Sequence, residues 1–155
     1  PGTSDAVFAG KTRPAQRRQH LPHRPLPDYD SPMTDITRIP NAKLPSKSSV
    51  AIYRLPGGGG FLWAVATSPD RTQDIKAQTL GCLNALDARL KEAGLDRTRI
   101  VKAEVVVTDH DNKPAFDEAW ASWMPDGYGP VRSFVESRMP AGDLIEIIIT
   151  AALPP

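Results

Sequence analysis

One cysteine, Cys82, stands in the whole chain. That excludes an intrachain disulfide framework and a thiolate metal site, and it fits a reducing, cytoplasmic setting. Charge of one sign is also lacking. Nineteen Lys+Arg against 18 Asp+Glu leave a formal net charge of +1, too weak a field to favour nucleic acid as a partner. No apolar stretch approaches the roughly 20 residues needed to cross a bilayer, so the sequence reads as a soluble protein without a membrane partner. Ligand clusters for a metal are missing as well. His20 and His23 have no companions, and the adjacent Asp109, His110 and Asp111 do not converge on a loop. Neither a metal nor a cofactor is expected.

What is present divides into two parts. Residues 1–32 mix Pro14, Pro22, Pro25, Pro27 and Pro32 with Arg13, Arg17, Arg18 and Arg24, without apolar periodicity. Such a stretch cannot offset its ordering entropy by burial, and it is expected to be a disordered or non-native extension. Domain character begins at Met33 and runs through residue 155.

Within the domain, Ser49–Arg54 and Phe61–Ala66 are short β-prone runs around Pro56 and Gly57–Gly60, a hairpin pattern. The spacing predicts a helix over 70–93. Asp70 and Gln73 form its capping box, Gly94 stops it, and Ile75, Thr79, Cys82, Leu83, Leu86 and Leu90 lie on one face. Cys82 on that face reads as a small core residue. Ile100–Thr108 follows as a strand, its three consecutive valines suggesting burial on both faces. The loop from Asp109 leads to a second helix, Pro114–Met124, with Phe116, Ala119, Trp120 and Trp123 inward. Asp117 and Glu118 fall on its solvated side. Strands at 131–139 and 144–152 finish a β-β-α-β-α-β-β order. This is an α+β chain: a mixed sheet with two helices on one face, whose other face needs cover from another subunit.

Two positions carry the chemistry. Glu146 puts a carboxylate inside the apolar run Ile145–Ile149, and a buried carboxylate is costly unless paired or used. Arg132 follows the Gly129–Pro130 turn, where a guanidinium fork suits a planar carboxylate. The two residues invite each other as a pair.

At these residues the chain resembles the Rid family (YjgF/YER057c/UK114), whose members include enamine/imine deaminases. The matching segments are Asp74–Thr79, Gly94–Ala103, Phe116–Trp123, Gly129–Glu136 and Leu144–Ile147, and the two tryptophans Trp120 and Trp123 ahead of Pro125 are most like the YoaB branch. The resemblance implies a chorismate-mutase-like fold of the bacillary type, assembled as a homotrimer with clefts between adjacent subunits. It implies hydrolysis of 2-aminoacrylate-type enamines and imines to 2-keto acids and ammonia. Arg132 would hold the carboxylate of a small-molecule substrate, and Glu146 would be the catalytic group positioning water. Ser133, Phe134, Asp117 and Tyr128 would line the substrate cleft. The alternative is a non-catalytic trimer that binds a small carboxylate metabolite in the same cleft. Four departures from the active branch stand out. Asp117 replaces an asparagine, Phe134 a small or sulfur-bearing residue, and Val65-Ala66 a Ser-Gly pair. Lys47–Ser49 stands where an early tyrosine is found.

Overall fold

The computed structural model describes residues 35–155; the expectations for residues 1–32 lie outside them. The described chain forms β1 (Ile36–Pro40), β2 (Ser48–Arg54), β3 (Gly60–Thr67), α1 (Ile75–Glu92), β4 (Ile100–Val107), α2 (Lys113–Trp123), β5 (Val131–Glu136) and β6 (Ile145–Leu153). Six strands make one sheet in the order β1-β2-β3-β6-β4-β5. All neighbours are antiparallel except β4 and β5, which run parallel. A parallel pair needs a crossover, and α2 supplies it.

The β2–β3 hairpin is as the glycine run predicts. Gly60 is obligatory there: it sits at φ +136°, and a Cβ on it would lie 2.0 Å from the Tyr53 carbonyl oxygen. Strand β1 adds an element that the sequence pattern did not reveal. Thr37, Arg38 and Pro40 break any alternation, and an edge strand pairing on one side only tolerates them.

Helix α1 begins later than expected. Its cap is Asp74, whose side chain accepts a hydrogen bond from the Ala77 backbone N at 2.9 Å. Asp70 instead closes a turn of its own, accepting from the Thr72 N at 2.9 Å and from the Gln73 amide at 3.1 Å. Two short polar side chains thus compete for one helix start, and the one nearer the apolar stripe wins. The stripe itself is as read, with Thr79, Cys82, Leu83, Leu86 and Leu90 buried, and it gains Gln78. That buried amide donates to the carbonyls of Gln73 and Gly142, both at 2.9 Å, and accepts from the Leu144 N at 3.0 Å. It ties the segment before α1 to the turn before β6. In the same turn the buried Asp143 meets Arg71, Nε to Oδ1 at 2.7 Å, a charge contact off the hydrogen-bond axis.

Both helices cover one face. Ile145, Ile147, Ile149, Ala151 and Leu153 of β6 point into it, with Ala103, Val105 and Val107 of β4. The expectation that Val105–Val107 is buried on both faces is therefore corrected. Val106 turns to the other side and is only half-buried, because nothing among the described residues packs there. Strand β5 likewise ends at Glu136 rather than Met139. Pro140 and Gly142 turn the chain, closed by the Asp143 N donating to the Pro140 carbonyl at 3.0 Å.

Across that second face lie Tyr53, Phe61, Trp63, Val65, Ile148, Val106, Val131 and Val135, as the strand registers require. Val131 is 76% exposed and Trp63 41%. A shallow depression of about 150 Å³ opens among Ala51, Trp63, Val65 and Ile148.

Candidate functional site

Arg132 pairs in register with Ala103 and therefore faces the helices. Its guanidinium lies 4.9 Å from the Phe116 ring centre and 5.3 Å from that of Trp120. Nη2 bonds Asp117 Oδ1 at 2.5 Å, and the other oxygen of Asp117 takes a short bond from Lys113. Aromatic faces attract a guanidinium and fix its plane. Helix α2 supplies the whole cradle: positions 113, 116, 117 and 120 recur at helical spacing and line up along one flank. The Arg132 side chain retains 22% exposure, so the group is held but not sealed.

Burial by itself raises the pKa of the Asp117 carboxyl. The hydrogen bonds from Lys113 and Arg132, with their charges, outweigh it and hold the carboxyl below its ordinary value. Asp117 is thus ionised at neutral pH. The expectation that it belongs to a solvated helix face is corrected: its neighbour Glu118 does face outward, pairing with Lys76 at 3.1 Å, whereas Asp117 turns to the arginine.

Phe134, two residues along β5, shares the helix side with Arg132. Its ring lies 5.3 Å from Phe116 and 5.2 Å from His110. The Lys113 ammonium lies 5.8 Å from the same ring centre.

Glu146 lies elsewhere. It stands opposite Val106 of β4 and Thr67 of β3 in register, with its side chain on the uncovered face. It has no ion-pair partner among the described residues. The expected pairing of Arg132 with Glu146 is therefore overturned within one chain. β6 and β5 flank β4, and odd residues of β6 share the helix face with even residues of β5. Glu146 and Arg132 consequently project from opposite sides of the sheet. The reason is period-2 alternation, which fixes the face once the register is set. Ser133 also points away from Arg132, on the Glu146 side, and Tyr128 is exposed on the loop before β5.

Several neighbours escaped the sequence reading. Lys113 and Asp117 form an i,i+4 pair, a signal present in the sequence. Thr67 beside Glu146 could be found only from the β3–β6 register. An open cavity of about 530 Å³, lined by Thr108, Glu136, Ser137, Arg138 and Met139, lies past the ends of β4 and β5. Cys82 is excluded as a nucleophile: it is fully buried, and burial first, then the Asp143 and Glu146 charges, pushes its pKa up to about 12.

Residues 64–153 match the family described as endoribonuclease L-PSP. The chain belongs to this family. A RutC family protein of Haemophilus ducreyi is 32% identical over 107 residues, covering 68% of this chain and 88% of its own length. The RutC family protein YoaB of Escherichia coli K12 is 32% identical over 81 residues, 52% of this chain and 71% of that one. Among solved structures, the YjgF family member NMB1025 of Neisseria meningitidis superposes with a TM-score of 0.69 at 24% identity, covering 78% of this chain and 97% of that one. Rv2704 of Mycobacterium tuberculosis, of the YjgF/YER057c/UK114 family, gives 0.63 at 24% identity, with 75% and 98% covered. The Rid resemblance and its YoaB leaning are thus met by independent matches, and so is the α+β fold. Among the described residues, no helix is long and apolar enough to cross a membrane, and no group of three or more metal-ligating side chains converges.

Proposed function

We propose that this chain is a Rid-type enzyme hydrolysing reactive enamine and imine acids to 2-keto acids and ammonia. Arg132 holds the substrate carboxylate, and Glu146 of a neighbouring copy positions the attacking water. The observation that carries the reading is the Arg132 cradle. Phe116 and Trp120 fix the plane of the guanidinium in advance while part of it stays open, so little side-chain freedom remains to be lost when a carboxylate binds.

The reaction adds water across C=N and expels ammonia. The enamine first tautomerises to the imine, whose carbon is electrophilic. A carboxylate can take the proton from water as oxygen attacks and return it to the departing nitrogen. Because Glu146 and Arg132 leave one chain on opposite faces, both act on one substrate only where two copies meet. The exposed Phe61 and Trp63 on β3, with Val131 and Val135 on β5 of the same open face, support such an assembly, for which a homotrimer with three intersubunit clefts is the proposed form.

One observation favours a second reading. Asp117 already engages Arg132, as it would in a trimer that binds a small carboxylate metabolite without turning it over. Imines generated in place by an amino-acid oxidase separate the two. The deaminase reading expects ammonia and keto-acid release to accelerate with the protein, and Arg132→Ala to remove about a hundredfold of that rate, the scale of one charge-assisted anchor. Binding of a 2-keto acid without any acceleration would support the second reading.

A further inference from the structure

Asp117 bonds the same guanidinium that would receive the ligand. Both of its oxygens are engaged, Oδ1 by Arg132 and Oδ2 by Lys113. The cluster therefore holds two cations and one carboxylate, leaving a single positive charge. Glu136, at the far end of β5, accepts from the backbone N of His110 at 2.9 Å, and Glu118 pairs with Lys76.

We propose that Asp117 is the specificity-determining residue of this site: it competes for Arg132 and sets the site to accept a monocarboxylate while rejecting dianions. The inference rests on the reading of Arg132 as the carboxylate anchor. When a ligand carboxylate arrives, Asp117 releases Arg132 and keeps Lys113, its neighbour one helical turn back. The incoming anion takes the vacated donor. No proton moves and no covalent bond changes. A monocarboxylate then brings the cluster to neutrality. A dicarboxylate brings a second negative charge up to the Asp117 carboxylate, with no cation left to meet it. Phe134 adds an apolar wall beside Phe116, 5.3 Å away between ring centres, and the one cation over its ring, Lys113 at 5.8 Å, is the one that Asp117 keeps.

The test measures binding of two probes that differ by one carboxylate, pyruvate and 2-oxoglutarate, to the full chain and to Asp117→Asn, Lys113→Gln and Arg132→Ala. Asparagine has the same shape as aspartate, so Asp117→Asn removes the charge with little change of packing. It is expected to tighten pyruvate binding about tenfold and 2-oxoglutarate binding by more, so that the preference for the monoanion narrows or inverts. Lys113→Gln removes the cation that retains the displaced Asp117, and it is expected to weaken pyruvate binding about tenfold. An Asp117→Asn protein that loses affinity for both probes alike would overturn the proposal, because Asp117 would then merely position Arg132. An unchanged ratio of the two affinities would overturn it too. If Arg132→Ala abolishes pyruvate binding while Asp117→Asn leaves that ratio unchanged, this inference fails and the anchor stands. If Arg132→Ala binds pyruvate as the parent does, both fail.

Discussion

The two faces of the one sheet are built to different standards. On the helix face, Leu83, Leu86, Phe116, Val105 and Ile147 are sealed, and the polar groups there have found partners, such as Gln78 with the Gln73, Gly142 and Leu144 backbone. On the other face apolar and polar side chains mix: Trp63, Phe61, Val131 and Val135 remain exposed beside the Lys102–Glu104 ion pair, and Glu146 has no ion-pair partner among the described residues. The first face is finished within one chain. The second is left open in the single chain, and on the proposed reading the division separates stability from assembly. It also splits the candidate chemistry, with Arg132 on the finished face and Glu146 on the unfinished one.

Substitutions of equal size should therefore have unequal consequences. The largest effect on folding is expected from Phe116→Ala. It empties a fully buried site that also supports Arg132, and truncations of this type cost about 3–5 kcal/mol. Thermal or denaturant unfolding would read this directly, and a loss below about 1 kcal/mol would show that the helix face is less tightly packed than described. Trp63→Glu, on the other face, is expected to change the stability of the single chain by no more than about 0.5 kcal/mol, as surface substitutions do. Its effect falls on association: light scattering should find the charged variant dissociated. An intact oligomer carrying Trp63→Glu would mean that this part of the sheet is not the contact.

Much of this was legible in the residues. The apolar spacing of α1 and α2, the Pro-Gly hairpin and the turn before Arg132 gave the elements, and the segment likeness gave the family. Alternation also put Glu146 inside an apolar strand. What periodicity cannot supply is which strand lies beside which. Glu146 and Arg132 looked like partners because each lacks a local one, but the β6-β4-β5 order sends them to opposite faces. Asp117 looked solvated because a helix-face reading knows nothing of the strand that packs behind it. Lys113 was one turn away from Asp117 all along, a pairing that a count of i,i+4 charges would have caught. Strand β1 stayed hidden because a short edge strand with Thr37, Arg38 and Pro40 carries almost no pattern.

On the proposed reading, the two halves of the site come from different copies of the chain. Two inactive variants, Arg132→Ala and Glu146→Gln, test it most directly. They should be purified separately, then mixed in equal amounts under conditions that allow subunits to exchange, and assayed for imine hydrolysis. Each variant alone is expected to be close to the background rate. The mixture should recover about a quarter of the wild-type rate, since in random closed rings that fraction of clefts pairs an intact Arg132 with an intact Glu146. A mixture no more active than its parents, after exchange has been verified, would contradict the account and put both residues' contributions back within a single chain.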